Sequence, residues 1–303
     1  MTPFLLAASL ALASPYEPGA DGESLRSGAL AAHESISRAS GLALETEKVA
    51  FIKDGLDEGV RRASAAAEAA GRLGAQAVQR MTEMASALKK SEVKDADPAE
   101  RRRWLRATQE HAELSARVEK LPEKAPDGKP GPDKLRLQEA LRRAAGALKS
   151  ADDSLHKGED AATAMGAALQ KMKDAHRRAQ SPSAELAAAV DEAQRRAGLL
   201  PSAADEAKER LDLLSQEPRN VSRTRAGEKM EMTRGLAQRL FTAADAAANR
   251  SSELHDQSSS FEKTQEAFEK ARTASQASPA SARPSLEEAE KTLASVRESF
   301  PGR

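Results

Sequence analysis

Five histidines, His33, His111, His156, His176 and His255, are the side chains that titrate nearest neutrality. Zinc hydrolysis would need two of them an i, i+4 step apart with a carboxylate beside the first, as in H-E-x-x-H. None is so spaced. His111 and His176 fall on apolar helical positions, where a polar residue more often sets register than holds a metal. Next to His156 stand Glu159 and Asp160, and paired carboxylates can do acid–base work in a closed pocket. Successive residues on a helix point about 100° apart, so these two cannot share a site and read as a solvated face.

Two further stretches invite chemistry. Gly128-Lys129-Pro130-Gly131 lacks the strand that precedes a phosphate loop, and Pro130 removes a backbone N–H that a phosphate would need. Arg101-Arg102-Arg103-Trp104 combines cationic and aromatic groups, as nucleic-acid surfaces do. Trp104, however, falls on the apolar seam of its own helix and is expected to be buried, while Asp95, Asp97 and Glu100 offset the arginines. Arg142-Arg143, Arg177-Arg178 and Arg195-Arg196 recur beside acids and are expected to pair with neighbouring helices. Asn220-Val221-Ser222 and Asn249-Arg250-Ser251 are acceptor sequences for N-glycosylation. A small-ligand site, if present, would involve Arg250 and Gln257, which interrupt an apolar edge. No residue is assigned as catalytic, cofactor-binding or metal-ligating, no cofactor is implied, and the chain is not expected to be an enzyme.

The elements that would carry these residues are helices. The 303 residues include 63 Ala and 31 Leu, with 47 basic and 47 acidic side chains, no Cys, one Trp and one Tyr. Ala, Leu, Glu, Lys and Arg lose little side-chain freedom in a helix, whereas the β-branched and aromatic residues that favour strands are scarce. The zero net charge argues against nucleic acid as a partner. The absence of cysteine excludes disulfides and thiolate chemistry.

Pro3 to Ala13 reads PFLLAASLALA, an apolar core ending in Ala11-Leu12-Ala13. It resembles the end of an export signal and is too short to span a bilayer, which needs roughly 20 residues. Residues 1–13 are therefore read as a signal peptide and 14–22, with Pro15, Pro18, Gly19 and Gly22, as a flexible lead. A membrane partner is not expected.

From residue 23 the apolar positions recur every three and four. Residues 24–94 read as one long helix whose seam runs Leu56, Val60, Ala63, Ala67, Ala70, Gly74, Ala77, Met81, Met84, Leu88. Leu42, Val49 and Ile52 fit it only with a stutter near 49–56. Asp97, Pro98 and Glu100 start a second helix in the manner of a capping box, with Trp104, Ala107, His111, Leu114, Val118 and Leu121 on its seam. Residues 122–132, PEKAPDGKPGP, form a loop. A third helix covers 133–179 and is expected to stop at Ser181-Pro182. The next carries Leu186, Val190, Ala193, Ala197, Leu200, Ala204, Ala207, Leu211 and Leu214 in one phase, which predicts a kink rather than a break at Pro201. A fifth places Leu240, Ala247, Leu254, Phe261 and Phe268 seven apart, with Ser251 to Ser260 at its surface. Pro279 and Pro284 are expected to break it before a last helix of Leu286, Ala289, Leu293, Val296 and Phe300.

The pattern predicts an all-α fold without β-sheet: an elongated antiparallel bundle or coiled coil of about five to six helices, with 23–121 and 133–300 in one continuous unit. The function expected is that of an exported structural or interaction protein, a spacer or scaffold without catalysis. It would meet a protein partner or a second copy through its heptad seams, outside the cytoplasm if the N-terminal signal acts and in the cytoplasm otherwise. The alternatives are a lipid-binding helical protein at a membrane surface and a helical-bundle sensor of a small ligand.

Overall fold

The structure, a computed structural model, describes residues 18–43, 48–91, 99–122, 133–216 and 222–300. It contains five helices: α1 (Pro18–Leu42), α2 (Val49–Lys90), α3 (Ala99–Glu119), α4 (Lys134–Gln216) and α5 (Ser222–Glu298). No strand occurs among the described residues, so the all-α bundle expected from composition is what forms. The signal segment 1–13, Asp97, Pro98 and most of the 122–132 loop lie outside the described residues.

Local chemistry accounts for several helix ends. α1 begins at Pro18, inside the stretch expected to be a flexible lead, because proline suits the first helical position and Asp21 places a carboxylate in the first turn. Lys89 and Lys90 close α2 at the negative end of its dipole. Asp133 Oδ1 accepts the Arg136 N–H at 3.2 Å, an N-cap for α4. Lys134 Nζ donates to the carbonyls of Glu119 and Leu121, satisfying exposed acceptors at the end of α3.

Three sequence expectations are corrected here. The long helix 24–94 is two helices, and the phase slip near Val49 marks the passage from α1 to α2 rather than a stutter. Pro182, expected to end a helix, and Pro201 both lie inside α4, while Pro279 and Pro284, also expected to break the chain, lie inside α5. A proline in a helix interior removes one hydrogen bond and costs about 3 kcal/mol. None of the four is buried, so water can reach the backbone they disturb. The apolar stripe meanwhile continues past them through Ala179, Leu186, Ala204, Ala282 and Leu286, all at most 0% exposed. Packing along that stripe outweighs the local penalty.

The chain divides into two compact units, Met1–Ala87 with Lys173–Phe261 and Leu88–Met172 with Glu262–Arg303. α1 and α2 accompany one length of α4 and α5; α3 accompanies the other.

The first unit is a ring of four helices. α1 faces α2 through Gly28 on Ala66 and Gly55 on Ala39. α2 faces α4 through Gly74 on Val190 and an ion pair between Asp57 and Lys208. α4 faces α5 where Thr233 Oγ1 donates to the Ala203 carbonyl at 3.2 Å. α5 returns to α1 through Ala248 on Gly22 and Ser40 Oγ donating to the Met230 carbonyl at 3.3 Å. Residue numbers rise on one member of each pair as they fall on the other, so all four pairings are antiparallel, the up-down-up-down arrangement favoured by short connections.

The second unit has three helices around a core of Ala107, Leu114, Val118, Leu137 to Leu155 of α4, and Ala282 to Val296 of α5. α3 runs antiparallel to α4, with Trp104 Nε1 donating to the Leu148 carbonyl at 3.0 Å and His111 Nε2 donating to that of Leu141 at 3.1 Å. It runs parallel to α5, with Arg103 paired to Glu290 and Arg297 to Glu110.

Most predicted seam residues are buried, including every α4 position from Leu186 to Leu214 named above and Leu240, Ala247, Leu254, Phe261 and Phe268 of α5. In α2 one edge holds (Leu56, Ala63, Ala70, Ala77, Met84), but the other is Ile52, Gly59, Ala66 and Leu73 rather than Val60, Ala67, Gly74 and Met81. The cause is α1: Gly59 lies beneath Ile36, so α2 covers two neighbours with a broad face. In α5, Ser251 and Ser258 are 0% and 4% exposed, interior positions and not the surface expected of them. The seams thus close on one another inside the chain.

Candidate functional site

The densest polar cluster lies on α3 of the second unit and uses the residues that resembled a nucleic-acid patch. Arg101 stacks on Trp104, with its guanidinium carbon 4.6 Å from the ring centroid, and donates to Asp152 Oδ1 at 2.6 Å. It also pairs with Glu159 at 3.3 Å. Arg103 grips Glu290 with two nitrogens at 3.2 and 2.8 Å. Glu100, one turn before Arg103 and facing the same helix, accepts from Arg283 Nε at 2.7 Å. The first turn and a half of α3 is thereby tied to α4 through Arg101 and to α5 through Glu100 and Arg103.

Electrostatics follow the geometry. The hydrogen bond from Arg283 holds the Glu100 carboxyl below the usual glutamate range, against the opposing effect of burial. The carboxylate of Glu290 likewise raises the Arg103 guanidinium above its ordinary value. Glu100 was expected to cap its own helix; the structure turns its side chain to α5 instead. Trp104 was expected to be buried; it is half-buried, its ring covered on one face by Arg101. Arg101 and Arg103 are engaged by carboxylates and so are not a free cationic surface for a phosphate backbone.

The remaining candidates are dispersed. The histidines do not come together: His33 stacks on Phe241 with ring centroids 6.4 Å apart, His111 serves the Leu141 carbonyl, and His156 is exposed and paired with Asp152. Among the described residues no group of three or more His, Asp or Glu side chains is placed to hold a metal ion. Glu159 and Asp160 are both exposed. Arg250 is held between Glu185 and Glu253 at 2.6 and 2.7 Å, a structural tie rather than a ligand contact. Asn249 is exposed within α5 and accepts from Arg26 at 2.8 Å, while Ser251 of the same sequon is buried. Asn220 and Val221 lie outside the described residues.

The arginine doublets also differ from expectation. Arg143 pairs with Glu139, Arg177 with Asp174, and Arg195 and Arg196 both with Glu192, each within its own helix. Two guanidinium groups on one carboxylate hold Glu192 below the ordinary glutamate range. The pairs that cross between helices are others: Arg26 with Asp245, Lys53 with Asp212, Arg72 with Asp21 and Lys229 with Glu206 in the first unit. Their partners are so far apart in sequence that no spacing rule could have matched them.

An open recess of about 820 Å³ lies between α4 and α5 of the first unit. Its floor is Ala203 and Leu236, its rims carry Leu199 and Met232, and Glu228 and Arg239 stand at its two ends. Leu199 is 47% and Met232 61% exposed. Such a surface offers apolar contact and charges of both signs, with Ser202, Glu206 and Lys229 also along its lining.

No protein-family description, no curated protein and no solved structure matches the chain. No helix among the described residues is long and apolar enough to cross a membrane.

Proposed function

We propose that this protein is a non-enzymatic spacer or scaffold, a bundle whose outer faces meet protein partners and whose interior serves only to hold the helices in register. The observation that carries this reading is the use made of its polar side chains. The residues best suited to chemistry by type, Glu100, Arg101, Arg103, His111 and Arg250, each bridge one helix to another. Charge committed in this way fixes alignment, which an Ala-dominated interior specifies weakly because one alanine resembles the next. These pairs are partly exposed and each adds little stability; what they supply is the choice of which turns face each other.

The same reading takes the apolar segment Pro3 to Ala13 as an export signal cleaved after Ala13, so that the mature chain starts at Ser14 and works outside the cytoplasm. N-terminal sequencing of the chain recovered from its native cells tests that part; a mature protein that still begins at Met1 contradicts it. In-cell lysine cross-linking with mass spectrometry tests the scaffold. The expected result is cross-links from helix surfaces to protein partners or to a second copy. A chain that yields only internal cross-links, and that turns over a compound from a metabolite panel, refutes it.

A further inference from the structure

We propose that a second copy of this chain docks on the outer face of α5 in the first unit, two-fold symmetrically, through the stripe Glu228–Met232–Gly235–Leu236–Arg239. The inference rests on the scaffold reading and names a partner for it.

The stripe is one face of the helix. Steps of four, three, one and three residues keep these side chains on the same side, and all five line the recess described above. Its charges are polar along the axis: Glu228 at one end and Arg239 at the other, about 16 Å apart at ~1.5 Å per residue. No ion pair engages either of them among the described residues, unlike the neighbouring Lys229 and Glu231, which pair with Glu206 and Arg234. Between the charges stands Met232, 61% exposed, and then Gly235, where a β-carbon would meet nothing within 4 Å.

That order is self-complementary. Laying a second copy antiparallel on the first brings each Glu228 opposite the other copy's Arg239, and the same operation brings each Met232 opposite the other copy's Gly235. A two-fold contact requires this reciprocity: if one residue meets another, the second must meet the first. The arrangement satisfies it for charge and for shape together. Methionine is unbranched and adaptable, suited to filling the hollow that a glycine leaves on a helix surface. Leu199 of α4 and Leu236 extend the apolar centre.

Sedimentation velocity of the full chain over a wide concentration range tests the proposal, alongside four variants whose melting is followed by circular dichroism. The wild type is expected to pass from monomer to dimer. Arg239→Glu and Glu228→Arg each raise the dissociation constant about tenfold or more, and the combined swap restores dimerisation because both cross-pairs re-form. Gly235→Leu fills the hollow and abolishes the dimer without lowering the melting temperature, since the position is open in the monomer. Met232→Ser, at an exposed site that cannot unfold the chain, weakens it as well. A chain that stays monomeric throughout overturns the proposal. A dimer indifferent to Gly235→Leu and Met232→Ser overturns this face while leaving the scaffold reading intact. Single reversals that weaken the dimer but are not rescued by the swap overturn the two-fold pairing. A dimer that behaves as expected, in a chain that also turns over a substrate, would instead remove the scaffold reading alone.

Discussion

Replacing Gly158 by Ala puts two helical rules in direct opposition. In an exposed helix interior, Ala is favoured over Gly by about 1 kcal/mol because the unfolded chain loses less freedom. At Gly158 the gain is met by α5 of the second unit. A β-carbon there would overlap the Ser278 hydroxyl oxygen and lie 2.5 Å from its Cβ. That hydroxyl cannot simply rotate away, because Ser278 is 7% exposed and its Oγ donates to the Ser154 carbonyl at 2.6 Å. Overpacking of this kind costs about 1–3 kcal/mol, and breaking a buried hydrogen bond adds about 1 kcal/mol. The net expectation is a loss of about 2 kcal/mol, a fall of several degrees in melting temperature for a chain of this size. Gly166→Ala is the control: its β-carbon would meet nothing within 4 Å, and the variant is expected to melt at or above the wild type. The combined change Gly158→Ala with Ser278→Gly moves the β-carbon across the interface and recovers part of the loss. Thermal melts followed at 222 nm decide the matter. If Gly158→Ala proves as stable as Gly166→Ala, α4 and α5 do not approach as closely as described and the reasoning fails.

Other consequences can be checked on the same material. Glu100 has its pKa lowered by the Arg283 hydrogen bond, so its contribution is complete above the unfolded glutamate value of about 4.3 and is lost as pH falls through the folded one. The melting gap between wild type and Glu100→Gln should therefore narrow as the solution is acidified from neutrality to about pH 3, and a gap independent of pH would contradict the ion pair. Phe268, 0% exposed, should cost about 3–5 kcal/mol when changed to Ala, measured by denaturant unfolding; a cost below about 1 kcal/mol would mean that it is not interior. Pro201 is exposed within an otherwise continuous α4. Pro201→Ala should raise stability by up to about 3 kcal/mol by restoring a backbone donor; an unchanged or lower midpoint would show that the turn around it is not regular helix.

The three- and four-residue period of the apolar side chains makes much of the fold legible in the sequence. Leu186 to Leu214 and Leu240 to Phe268 can be placed in the interior because large residues recur along the stripe often enough to fix its phase across the alanines between them. Where small residues replace them, the period alone did not say which side of the helix was covered. In α2 the choice between Gly59–Ala66 and Val60–Ala67 depends on α1 lying above Gly59, a fact of tertiary packing. Ser251 and Ser258 were missed because a hydroxyl counts as polar, although a serine is small enough to sit between close helices. The prolines misled for a related reason. Their local cost is real, yet a stripe of Leu and Ala on either side outweighs it when the proline itself stays at the surface. The polar cluster on α3 was visible only in outline. Glu100, Arg101 and Arg103 stand out in the sequence, but their partners Arg283, Asp152 and Glu290 are distant along the chain, and nothing local distinguishes them from other exposed charges.

The claim on which all of this depends is that the helices of one chain close their seams on each other. Because the chain has no cysteine, a single engineered pair can test it without interference. A β-carbon at Gly28 would lie 3.4 Å from that of Ala66, near the separation of about 3.8 Å that a disulfide requires. In dilute oxidised protein, Gly28→Cys with Ala66→Cys should form an intramolecular disulfide in high yield, seen as a monomer of faster mobility on a non-reducing gel. Disulfide-linked dimers, or free thiols under the same oxidation, would mean that α1 finds its partner in another chain or in another register, and the fold described here would not be the one the protein adopts.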